Sequence, residues 1–228
     1  MVLKRMNINA LSIEMTKKYY PMLTEKRRQK INEMADPGDR ATAFCSEILA
    51  RQCLSELLDA PEFSFQLMCN ANFKSVVGNF GAYIYIASFG NTVACAASLQ
   101  PVGACILPVR PFSFAEAQSL FSDSEVRAVY AQSGYSFAEL VNKPVCAEEN
   151  VMKMFALYAS LKEAYFRATG RGYRANINKT EFIYNGAEVV CSDPAYSVSY
   201  CKVDHAERTA LSVIEKIGSE RERGLENE

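Results

Sequence analysis

Apolar residues recur at three- and four-residue steps in two long stretches of the chain, and in short dense runs elsewhere. From Phe155 to Gly172 the sequence FALYASLKEAYFRATGRG puts Phe155, Tyr158, Leu161, Tyr165 and Ala168 on one stripe, which predicts the buried face of a helix. Ser160, Glu163 and Arg167 fall on a different stripe, with Glu163 and Arg167 one turn apart. Gly170 and Gly172 supply the backbone freedom that ends such a helix. A second helix is predicted after Asp36, which can cap it, with Pro37 at its first position and Asp39 at its positive end. Its stripe is Ala41, Cys45, Ile48, Leu49, Cys53 and Leu57, with Arg40, Glu47 and Arg51 off it and Pro61 marking the exit.

Residues 63–107 read as β-structure. YIYIAS (83–88) and TVACAASL (92–99) are rich in strand formers and flank Phe89-Gly90-Asn91, a hairpin turn. VGACIL (102–107) follows as a third strand, and Pro108 and Pro111 then break the pattern, which puts a boundary between halves 1–109 and 110–228. The second half opens with a helical segment near 113–130 and a looser stretch around 131–150. After Gly172 come short strands at 180–186, 187–191 and 196–203, then a charged tail of about 216–228 that reads as a frayed helix or disorder. Residues 1–35 read as mixed helix and loop, with Lys26, Arg27, Arg28 and Lys30 as a solvated helix face. The order helix, sheet, helix, sheet predicts an α+β protein.

Composition narrows the function classes. The 228 residues are 22% charged and nearly balanced, with a formal charge of −1, which argues against a general nucleic-acid binder. No apolar run approaches the roughly 20 residues that cross a bilayer, and the N-terminus does not resemble a secretory signal. Eight cysteines at irregular intervals, mostly in apolar segments and with no CxxC pair, are expected to be reduced thiols. A cytoplasmic protein with no membrane partner is the expectation.

The helix carrying Phe155, Lys162-Glu163-Ala164, Arg167, Gly170 and Gly172 resembles the signature helix of the 4′-phosphopantetheinyl transferases of the surfactin-synthetase-activating (Sfp-like) type. The resemblance covers roughly residues 25–203. Arg40 stands where the family has an arginine on coenzyme A, and Phe73-Lys74-Ser75 resembles its Gly-Lys-Pro. Residues 86–107 resemble its block around Ser-His-Ser and Gly-x-Asp-x-Glu, and Ser122-Asp123-Ser124-Glu125 a motif whose glutamate is a candidate general base. The resemblance implies two similar α/β subdomains in a pseudo-twofold arrangement with a cleft between them. It also implies transfer of phosphopantetheine from coenzyme A to a serine of an acyl or peptidyl carrier protein, with Mg²⁺. Glu125, Glu163 and Arg167 are the implied catalytic residues. Arg40, Lys74, Ser88 and Arg167 are the implied coenzyme A contacts, and Glu163 is the one matching metal ligand.

The departures concentrate in the chemistry. Phe89 stands at the family's histidine, Ala159 at its helix tryptophan, Arg167 at its helix lysine, and Cys105 and Leu107 at the Asp and Glu of the metal strand. Side chains two apart on a strand point the same way, so Asp-x-Glu can aim two carboxylates at one cation. Magnesium takes hard oxygen ligands; Cys105 offers a soft one and Leu107 none. The expectation is therefore a transferase homologue that keeps coenzyme A or carrier-protein binding but has lost magnesium-dependent transfer. Two alternatives stay open: an active divergent transferase, and a non-catalytic interaction protein whose cleft is filled, with Phe89 and Leu107 as plugs.

Overall fold

The computed structural model describes residues 1–65, 67–69, 75–77, 81–131, 139, 145–170, 177–184 and 188–218 (the backbone alone at 68–69 and 75–77). The chain divides into two units, Met1–Val102 and Gly103–Glu228. The architecture is mixed α+β, with small antiparallel sheets.

In the first unit, strand β1 (Val2–Asn7) leads into helices α1 (Ile13–Tyr19), α2 (Glu25–Glu33) and α3 (Pro37–Leu58). Short strands β2 (Leu67–Cys69) and β3 (Ser75–Val77) follow, then β4 (Tyr83–Phe89) and β5 (Thr92–Ser98). The predicted cap holds: the Asp36 carboxylate accepts from the Asp39 amide at 2.9 Å, with Pro37 opening α3. The predicted hairpin also forms, with Gly90 at φ +55 between β4 and β5. The sheet runs β1-β5-β4, and every residue of the central β5 is buried. Val93, Cys95 and Ala97 of β5 pack with Cys45, Leu49, Cys53 and Leu54 of α3 into one core. The sequence does not mark β1 as a strand, because Lys4 and Arg5 interrupt its apolar positions and the segment reads as polar.

One expectation about charge is corrected here. Arg27 is not on a solvated face: it is buried, and its Nε donates to Glu47 Oε1 at 2.7 Å. Glu47 and Arg51, expected off the apolar stripe of α3, are each only 2% exposed. Arg51 donates to the carbonyls of Phe65 (2.6 Å), Met22 (2.9 Å) and Glu62 (3.2 Å), so a helix residue ties down two turns that have no ladder of their own. Burial pushes the Glu47 carboxyl up despite Arg27, and pushes the Arg51 guanidinium down.

The second unit contains strand β6 (Val102–Pro108, Val102 itself grouping with the first unit) and helices α4 (Phe114–Leu120), α5 (Asp123–Tyr130) and α6 (Glu149–Thr169). Strands β7 (Phe182–Tyr184), β8 (Val189–Cys191), β9 (Tyr196–Asp204) and β10 (Thr209–Lys216) complete it. The predicted segment 113–130 is two helices, broken at Phe121-Ser122 by a capping box in which Ser122 and Glu125 satisfy each other's amides. Helix α6 begins earlier than Phe155 and stops where expected, with Gly170 at φ +67.

The sheet order β6-β10-β9 revises the sequence reading of β6. VGACIL reads as a third strand after β4 and β5, with the chain dividing into halves 1–109 and 110–228. It instead pairs with β10, so the division falls before Gly103. Strand β10, unassigned from the sequence, is the centre of this sheet and buried from Thr209 to Ile214. Helix α6 lies across it, and its apolar stripe joins Cys105, Ala210 and Ile214 in one core. Ser160, expected off that stripe, is fully buried and lies 2.6 Å from Ser212 Oγ of β10. The charged tail lies mostly outside the described residues.

Candidate functional site

Helix α6 and strand β6 meet through their backbones. A Cβ placed on Gly103 would stand 2.2 Å from the Ala164 carbonyl oxygen and 2.4 Å from the Ala168 nitrogen, closer than any real side chain tolerates. Only glycine allows the strand to lie this close to the helix. That contact delivers the next carbonyl, Ala104, to Arg167, whose Nη1 donates to it at 2.8 Å. The Arg167 Nη2 donates to Glu163 one turn back, forming an ion pair along the helix. Both side chains stay about one-quarter exposed, at 27% for Arg167 and 24% for Glu163.

Cys105 lies beside this pair and has no exposed surface. Burial pushes its thiol up to about 12; Arg167 pulls it down and Glu163 pushes it up by smaller amounts. A thiol held in its neutral form is neither a good nucleophile nor a good metal ligand. Leu107, two residues on and therefore on the same face of β6, packs against the same core. At the two positions that the resemblance assigns to metal-binding acids, the structure thus has a buried thiol and a half-buried hydrocarbon. Of the matched ligand positions Glu163 alone carries a carboxylate, and a guanidinium already holds it. These residues do not fit Mg²⁺, which needs several hard oxygen ligands. Among the described residues no group of three or more His, Cys, Asp or Glu gathers around one point.

Glu125 is placed differently from what the resemblance implies for a general base. It is 1% exposed, and its Oε2 accepts from the Ser122 amide at 3.0 Å and pairs with Lys162 Nζ at 2.6 Å. Its Oε1 accepts from the Phe182 amide at 2.8 Å. Lys162 also donates to the carbonyls of Ile177 and Thr180. Burial pushes the Lys162 ammonium down, with Glu125 opposing. The pair therefore fastens α5, α6 and the entry to β7 together, and its oxygens are occupied by the protein itself.

The structure brings Glu163, Arg167 and Cys105 together and keeps Glu125 on the sealed side of α6 with Lys162. In the first unit, Arg40 sits half-buried in the first turn of α3. Ser88 and Phe89 are exposed at the end of β4, Phe89 by 43%. Lys74 lies outside the described residues. Sequence reasoning missed Gly103 and the Ala104 carbonyl. A glycine in an apolar strand is a legible sign of close backbone approach, but a carbonyl leaves no trace in the sequence.

Searched against models of known protein families and against curated proteins, the chain matches none. No helix among the described residues is long and apolar enough to cross a membrane.

Proposed function

We propose that this chain is a 4′-phosphopantetheinyl transferase homologue that binds coenzyme A or a carrier protein but does not carry out magnesium-dependent transfer. The order and spacing of the matched motifs along the sequence support the family. The observation that carries the loss of transfer is the state of β6. Cys105 has no exposed surface and Leu107 packs against the core, where a metal-dependent enzyme needs two carboxylates.

Retained binding is supported by Arg167, which is partly exposed and whose planar fork matches phosphate oxygens without a metal. Arg40, Lys74 and Ser88 are the further coenzyme A contacts of this reading. The test is incubation with coenzyme A, Mg²⁺ and a set of apo-acyl and apo-peptidyl carrier proteins, followed by intact-mass spectrometry and, separately, calorimetry with coenzyme A. Binding without a phosphopantetheine adduct is the expected result. Adduct formation at enzymatic rates makes the protein an active divergent transferase instead, and no coenzyme A binding leaves a pure interaction protein.

A further inference from the structure

Glu163 and the Ala104 carbonyl form a small oxygen-lined corner, and the group that fills it is Arg167. Nη1 takes the carbonyl at 2.8 Å and Nη2 takes the carboxylate. We propose that Arg167 is the built-in cation of this site, and that Glu163 restrains Arg167 against incoming phosphate instead of ligating a metal. The inference rests on the coenzyme A reading above and adds the role of each residue at that site.

The geometry gives the two contacts unequal weight. The Ala104 carbonyl is held in place by the backbone contact at Gly103, so it offers the guanidinium a fixed acceptor. Glu163 is a flexible, partly exposed side chain four residues back on the same helix. A phosphate approaching Arg167 meets a carboxylate that both occupies Nη2 and repels the incoming negative charge. In a metal-dependent site such a carboxylate would help hold the cation that neutralises the phosphate. Here the nearest cation is the arginine itself, so the same carboxylate opposes the ligand. Removing its charge while keeping its shape should therefore strengthen phosphate binding, the reverse of what a metal-ligand role predicts.

Coenzyme A and, in parallel, inorganic pyrophosphate are titrated by calorimetry into the full chain, Glu163→Gln and Arg167→Gln, each in Mg²⁺ and in EDTA. Thermal melts establish that the variants are folded. A partly exposed ion pair is worth a few-fold in affinity, so Glu163→Gln is expected to bind about two- to fivefold tighter, equally with and without metal. Arg167→Gln is expected to weaken binding about tenfold or more. Unchanged affinity in Glu163→Gln, or weaker binding seen only in Mg²⁺, overturns the proposal while leaving coenzyme A binding intact. Tighter pyrophosphate binding by Glu163→Gln with no coenzyme A binding supports the proposal and removes the coenzyme A reading. Binding of neither probe overturns both. If Arg167→Gln does not fold, the comparison of the full chain with Glu163→Gln still decides.

Discussion

Lys162 Nζ of α6 and Glu125 Oε2 of α5 lie 2.6 Å apart with each side chain 1% exposed, so a desolvated ion pair joins two helices of the second unit. Removing one partner leaves a charge in the interior with nothing to compensate it. Lys162→Met is expected to cost about 3–5 kcal/mol in denaturant unfolding. The double variant Lys162→Met, Glu125→Leu should recover much of that loss. A single-variant cost under about 1 kcal/mol would mean that water reaches the pair.

Gly103→Ala tests the backbone contact between β6 and α6. The added methyl would sit 2.2 Å from the Ala164 carbonyl oxygen, which cannot rotate away as a side chain could. An overpacked core position costs about 1–3 kcal/mol and occasionally more, and a backbone clash belongs at the upper end. A urea titration is expected to show at least about 2 kcal/mol of destabilisation. Any phosphate binding through Arg167 should weaken with it, because Ala104 moves.

Glu47→Ala strips Arg27 of its carboxylate inside the first unit, where Arg27 Nη1 already has no partner among the described residues. A loss of about 3–5 kcal/mol is expected, and Glu47→Gln, which keeps one acceptor, should lose less. Thermal melts of the two variants side by side check the order.

The Cys105 thiol makes an alkaline prediction. Its folded pKa, pushed up to about 12, stands above the ordinary 9.0, so the unfolded chain releases this proton first as pH rises. The contribution is fully present below pH 9 and is lost between about 9 and 12. Cys105→Ala should therefore show a smaller fall in stability across that window than the unaltered chain, by urea unfolding at each pH. Iodoacetamide should leave Cys105 unmodified in the folded protein below pH 9, by peptide mass mapping.

The sequence was most legible where a local rule and the tertiary fold agree. Asp36 and Pro37 start α3, Gly90 turns the β4–β5 hairpin and Gly170 stops α6, each by chemistry contained in a few neighbouring residues. It was least legible where pairing is long-range. β6 leaves its sequence neighbours β4 and β5 to join β10, over a hundred residues away, and β1 joins β5 despite its charged residues. The burial of Arg27 and Glu47 is hidden for the same reason. Arg27 and Glu47 look like surface residues until they are placed together across 20 positions, and nothing local pairs Glu125 with Lys162, 37 positions away. At the candidate site the pairing of Glu163 with Arg167 followed from helical spacing alone. The anchoring of Arg167 by a main-chain oxygen did not.

The burial of Cys105 limits what mutation can install on β6. Installing aspartate at 105 and glutamate at 107 would recreate the acidic spelling of a metal strand, yet residue 105 has no exposed surface through which water or a hydrated ion could arrive. A carboxylate there would be driven toward its protonated form or would loosen the fold, since an uncompensated charge in the interior is among the costliest substitutions a protein can carry. Seating a cation on this strand would therefore require the packing around residue 105 to open first, so the two point mutations alone should yield a destabilised protein that binds no magnesium, as urea unfolding and metal titration would show.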